Sequence, residues 1–152
     1  MERKKKIMAV SSIGGHWIQL LRITKPLEKK INVVYVSTNT GCEAMVEKSK
    51  FYCIKDFSRW NAYLLLPVFF SAMKLIIKES PDVVISTGAA PGLIFLFAAK
   101  ICGKKTVWID SIANIQKLSM SGYIASKFSS CIYTQWNHLS DKHIIYAGNI
   151  LE

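Results

Sequence analysis

The stretch IMAVSSIGGHWIQLLR, residues 7–22, decides how the chain is read. A short apolar run, IMAVS at 7–11, gives way to Gly14, Gly15 and His16; Trp17, Leu20, Leu21 and Thr24 then follow at helical spacing before Pro26. A strand-length apolar run, then glycines, then a helical period is the pattern of a buried strand feeding a helix. Glycines let the backbone bend sharply and approach a ligand closely, and the amides at a helix start point outward unpaired. Such a turn suits an anion, a phosphate first of all. The same residues also suit a plain tight connection in which His16 only caps the helix, so the rest of the chain has to decide.

Further strand-like runs lie at 31–37 (INVVYVS), 51–54 (FYCI), 82–86 (DVVIS), 105–110 (KTVWID), 131–134 (CIYT) and 143–147 (HIIYA). Most are separated by helix-length segments, with helices expected at 42–48, 61–78 and 93–102. Several runs are continuously apolar rather than alternating, the mark of strands covered on both faces of a parallel sheet. The expectation is one α/β domain over 1–152, a Rossmann-like parallel sheet with helices on both faces, preceded by a solvated basic tail at 1–6. In a doubly wound sheet of order 3-2-1-4-5, the first and fourth strands are neighbours and their loops share the carboxyl edge. SSIGGH would then face STGAAPG, residues 86–92, with DSIAN, residues 110–114, beside them.

The first turn lacks G-x-G-x-x-G, and the second strand ends in Ser37, Thr38 and Asn39 rather than an acidic residue, which argues against a dinucleotide. No P-loop occurs, so nucleoside triphosphate chemistry is disfavoured and a phosphorylated lipid or sugar is left. The four cysteines show no ligand spacing; no metal and no cofactor are expected. Formal net charge is +10, yet 51% of residues are hydrophobic. Most aromatics sit in apolar runs rather than on a basic face, which counts against nucleic acid. Surplus basic charge with surplus apolar surface fits an anionic membrane or a partner chain. Residues 59–78, RWNAYLLLPVFFSAMKLIIK, suit an interfacial helix or a buried crossover helix, and the charge-free part with Pro67 inside it is too short to span. Arg3, Lys4, Lys5 and Lys6 with Trp60 and Tyr63 are the expected membrane contacts.

Taken in order, SSIGGHWIQLLR, STGAAPG, VWIDSIANIQKLSMSG, IYTQW and YAGNILE resemble the asparagine-linked glycosylation protein 14 family, in its bacterial branch for capsule and other polysaccharides. The resemblance implies the N-terminal half of a GT-B glycosyltransferase, with the donor half on a separate chain. It implies an acceptor-side glycosyltransferase subunit, inactive without its partner chain, working with a donor-binding partner on UDP-sugar and a lipid-linked saccharide at the cytoplasmic face of the membrane. Carried over, the acceptor and phosphate residues are Ser12, Gly14, Gly15, Thr87, Gly88, Ala89, Pro91 and Gly92. His16 is the candidate base, being the one histidine on the expected cleft edge, and Asp110 is a second candidate base or a structural cap. Many relatives have Glu where Asp110 stands. A non-catalytic membrane scaffold and a Rossmann-type ligand-binding regulator are the rival readings.

Overall fold

The structure, a computed structural model, describes residues 2–152. Seven parallel strands form one sheet: β1 (Lys6–Val10), β2 (Asn32–Ser37), β3 (Lys50–Cys53), β4 (Val83–Ser86), β5 (Lys105–Ile109), β6 (Cys131–Thr134) and β7 (Ile144–Tyr146). Their order is β3-β2-β1-β4-β5-β6-β7, so the chain reverses direction across the sheet between β1 and β4, as expected. Four α-helices complete the fold among the described residues: α1 (Gly15–Thr24), α2 (Leu65–Glu79), α3 (Ala89–Ile101) and α4 (Met120–Ala125).

The apolar runs are continuous because the sheet is covered twice. On one face Met8, Val10, Val34, Val36 and Val84 pack with Val68, Ala72 and Ile76 of α2 and with Phe95 and Leu96 of α3. On the other, Ile7, Ala9, Val33 and Tyr35 pack with Trp17, Leu20 and Leu21 of α1. Alternate residues of one strand thus serve two cores, as the pleat requires.

Several elements differ from the sequence expectation. The helix expected at 61–78 is a 3-10 turn (Arg59–Leu64) broken at Asn61 (φ −129°, ψ 45°), followed by α2. Pro67 is accommodated in the first turn of α2, where its missing N–H leaves no bond unmade. Residues 40–46 wind as a 3-10 turn that buries Cys42 and Val46. The third helix starts at Ala89, four residues before the expected start, and α4 was not anticipated. The basic stretch is not a free tail throughout. Lys6 opens β1, its Nζ donates to the Glu79 carbonyl at 2.8 Å, and Arg3 pairs with Asp82 at 2.6 Å. Pairing of β1 with both neighbours draws Lys6 onto the amino edge of the sheet, so Lys6 is withdrawn as a free membrane contact, while Arg3, Lys4 and Lys5 stay exposed.

Glu79 is the anchor of that edge: its side chain is 2% exposed and accepts from Lys6, Lys50 and the Tyr52 hydroxyl. Burial alone would raise its carboxyl, but these donors outweigh burial and hold it at about 2, below the ordinary 4.5. A carboxylate depressed in the folded state stabilises it above about pH 4.5, and that contribution fades as pH falls toward 2. Replacing Glu79→Gln is expected to cost about 2 kcal/mol at pH 7, a fall in melting temperature of about 4–8 °C. It should also flatten the loss of stability between pH 4.5 and 2 in acid titration followed by circular dichroism; an acid limb as steep as wild type would show that Glu79 does not set it.

Candidate functional site

Parallel pairing of β1 with β4 sets Val10 opposite Ser86, so the turns leaving these strands lie side by side. The helices they open, α1 and α3, have Gly14 (φ 97°) and Gly88 (φ 153°) as their N-cap residues, and neither start is capped by a side chain. Unpaired first-turn amides and two aligned helix dipoles therefore meet at one edge, an environment that favours negative charge. Ala89 has φ 65°, a left-handed conformation costing a residue with a Cβ about 1–3 kcal/mol.

The two turns are joined by a reciprocal contact. His16 Nδ1 lies 3.1 Å from the Thr87 carbonyl, and the buried Thr87 hydroxyl donates back to the His16 carbonyl at 2.7 Å. A carbonyl only accepts, so in the neutral imidazole Nδ1 carries the proton and Nε2 is the basic nitrogen. The ring lies over Gly88, where a Cβ would come within 2.3 Å of Nδ1. His16, Thr87, Gly88 and Ala89 thus converge, and the exposed Gly14 and Gly15 flank them.

Other residues expected at the site do different work. Asp110 is 1% exposed and its carboxylate accepts from Trp108 Nε1 (3.0 Å), Asn114 Nδ2 (3.1 Å), the Ser119 amide (2.9 Å) and the Ser119 hydroxyl (2.6 Å). With four donors on two buried oxygens it is the structural cap of the loop between β5 and α4, not a base. Gly92 lies beneath α3, where a Cβ would sit 2.0 Å from the Ser86 hydroxyl, and Pro91 is buried beside it; both serve helix-on-strand packing rather than ligand contact. Ser12 is buried at 9% exposure. Sequence reasoning passed over Gln19, which is buried among the apolar residues of α1 and reaches the Asp110 carbonyl at 3.0 Å. A carboxamide inside an otherwise apolar helical stripe was the available signal.

A second surface lies outside the sheet on α2 and α3. Leu66, Phe70 and Ile77 are 62–68% exposed and recur at helical spacing on the outer face of α2, next to Phe97 and Ile101 of α3. Phe69, Phe97 and Phe128 form an aromatic ladder across this side, with centroids 5.7–6.2 Å apart. Trp60 and Tyr63 stand 84% and 78% exposed at one end. The segment Arg59–Glu79 is long and apolar enough by composition to cross a membrane. However, its α-helical part spans about 22 Å, short of the roughly 30 Å hydrocarbon core, and Val68, Ala72 and Ile76 are fixed in the sheet core.

The sheet order and the paired turns define a Rossmann-like α/β unit. Residues 60–150 match the family described as "Oligosaccharide biosynthesis protein Alg14 like", and the chain belongs to that family. It is 24% identical over 165 residues to the UDP-N-acetylglucosamine transferase subunit ALG14 of Yarrowia lipolytica, an alignment covering 91% of this chain and 76% of that protein. It is 28% identical over 103 residues to the UDP-N-acetylglucosamine–N-acetylmuramyl-(pentapeptide) pyrophosphoryl-undecaprenol N-acetylglucosamine transferase of Rickettsia bellii, covering 63% of this chain and 29% of that one. Among solved structures, MurG of Acinetobacter baumannii superposes with a TM-score of 0.79 at 19% identity over 94% of this chain, which spans 45% of that enzyme. This last likeness establishes the fold.

The two buried glycines separate site from scaffold. Gly88→Ala should displace the imidazole, seen as altered His16 ring nitrogen shifts, and also lower the melting temperature, because φ 153° strains a residue with a Cβ. Gly92→Ala should cost about 1–3 kcal/mol of stability with the His16 signals retained. Unmoved His16 signals in Gly88→Ala, or moved ones in Gly92→Ala, would show that the imidazole is not seated on Gly88.

Proposed function

We propose that the chain is the acceptor-binding subunit of a split glycosyltransferase that moves N-acetylglucosamine from its UDP-linked donor to a lipid-linked saccharide, with the donor held by a separate chain. The observation that carries this reading is the meeting of two helix starts, neither capped by a side chain, at His16, whose Nδ1 faces the Thr87 carbonyl. The helix starts suit the diphosphate of a lipid-linked acceptor, and the nitrogen suits its attacking hydroxyl. The name of the Yarrowia lipolytica relative as a transferase subunit, and that of the Rickettsia bellii relative for a pyrophosphoryl-lipid acceptor, support the reading. Membership of the bacterial polysaccharide and capsule branch rests on the ordered motifs of the sequence.

In the proposed step the acceptor hydroxyl oxygen forms a bond to the anomeric carbon of the donor sugar. The bond from that carbon to the phosphate oxygen breaks, and UDP leaves with the electron pair. The hydroxyl proton passes to His16 Nε2, while Nδ1–H remains on the Thr87 carbonyl and steadies the imidazolium that forms. Thr87, Gly88 and Ala89 shape the turn that presents amides to the acceptor diphosphate, and Gly14 and Gly15 open the other turn.

The apolar outer face of α2 and α3 is assigned to the cytoplasmic membrane surface. Lys74, Lys78 and Lys100 are exposed on the same helices and suit anionic lipid, each contributing about 1 kcal/mol near such a surface. Trp60 and Tyr63 supply the amphipathic rings favoured at the headgroup level.

Transfer from radiolabelled UDP-N-acetylglucosamine to a polyprenyl-diphosphate saccharide would be measured with this chain, the candidate donor-binding chain, and both. Activity is expected in the mixture alone, and His16→Ala in the mixture should lower kcat by about 10²-fold or more. Full activity of the partner by itself, or of the His16→Ala pair, would leave the chain a scaffold. Phe70→Glu with Ile77→Glu should abolish flotation with phosphatidylglycerol vesicles yet leave transfer in detergent intact; undiminished flotation would remove this face from the membrane.

A further inference from the structure

Away from the helix starts, six hydrogen bonds close a circuit around the loop between β5 and α4. Gln19, one turn beyond His16 on α1, donates from Nε2 to the Asp110 carbonyl (3.0 Å) and accepts from the Ile112 amide on Oε1 (3.2 Å). Trp136 Nε1 donates to the Ile112 carbonyl (2.8 Å), and Gln135 Nε2 donates to the Asp110 carbonyl (3.4 Å). Gln135 Oε1 accepts from the Ile150 amide (3.0 Å), and Arg22 of α1 donates to the Ile150 carbonyl (3.3 Å), returning the circuit to the helix where it began.

Both carboxamides are nearly sealed, Gln19 at 2% and Gln135 at 4% exposure. Each uses its donor and its acceptor on main-chain atoms of another element, and a buried amide without those partners would cost about 1–3 kcal/mol. That cost makes the spacing between α1 and the loop hard to vary. The loop leaves β5, and β5 lies beside β4, whose own loop carries Thr87 and Gly88. The carboxylate of Asp110 fixes the far end of the loop at Ser119, whereas Gln19 fixes its near end to the helix bearing His16.

We infer that Gln19 is a positioning residue for the acceptor. By holding Asp110 and Ile112 against α1 it sets the loop 111–117 as the third wall of the cleft, next to His16. Gln135 and Trp136 brace that wall from the side of the C-terminal segment. The inference rests on the acceptor-site reading above and deepens it: the donor sugar, held elsewhere, should be indifferent to Gln19. The loop offers Ser111, Gln116 and Lys117 as polar groups, which suits the hydroxyls of a saccharide.

The test uses Gln19→Met, which keeps the length of the side chain and removes both bonds, and Trp136→Phe, a milder cut of the same circuit. Amide hydrogen exchange on the full chain should show Ile112 and its neighbours exchanging at least tenfold faster in Gln19→Met, with β1 and β4 unchanged. Trp136→Phe should show a smaller rise at the same amides. In the reconstituted pair, the KM for the lipid-linked acceptor should rise about tenfold in Gln19→Met, with the KM for UDP-N-acetylglucosamine within twofold of wild type. Unchanged loop exchange in both variants would overturn the positioning role, as would equal changes in the two KM values. If the wild-type pair transfers no sugar, the glycosyltransferase reading fails, while the exchange result still decides whether Gln19 holds the loop.

Discussion

Everything at the functional edge depends on two parallel strands being neighbours. Because Val10 pairs with Ser86, the turns leaving β1 and β4 cannot diverge, and their helices start within one hydrogen bond of each other. The His16–Thr87 contact is the result: one side chain and one main chain bind each other in both directions, with glycine where the ring must lie. Remove the adjacency and the two helix starts become unrelated capping problems. With it, they share one edge of the sheet, with an imidazole of defined neutral tautomer between them.

The strands were legible because burial on both faces leaves a strong mark. Runs such as INVVYVS need no alternation when both sides of the sheet are covered, and the order of turns at the carboxyl edge follows from right-handed crossovers. The glycine turns and His16 were legible for the same reason. Asp110 was ambiguous in sequence because a carboxylate ending a strand serves catalysis and capping alike; only the four donors around it show which. Gly92 misled because a packing glycine and a ligand glycine look identical until a Cβ is placed on each. The 3-10 turn at Arg59–Leu64 was read as helix because its apolar content continues that of α2, and the break at Asn61 has no compositional signal.

Charge and hydropathy, odd together in the composition, separate in space. The amino edge consumes part of the basic excess, where Lys6 and Lys50 neutralise one buried Glu79 and Arg3 meets Asp82. The apolar excess is spread over the outside of α2 and α3. The chain therefore carries its core and its outward apolar surface on opposite sides of the same helix, which explains why residues 59–78 read equally well as a crossover helix and as an interfacial one.

The circuit around the β5–α4 loop ends almost entirely on carbonyls and amides. Apart from Asp110 and the Asn114 and Ser119 side chains that donate to it, the framework therefore makes no demand on which side chains the loop bears. Such an arrangement uncouples the surface of the loop from its architecture: side chains at Ser111, Ala113 or Gln116 can be exchanged without renegotiating the fold. For protein engineering, the loop is a cassette whose clamps lie outside it.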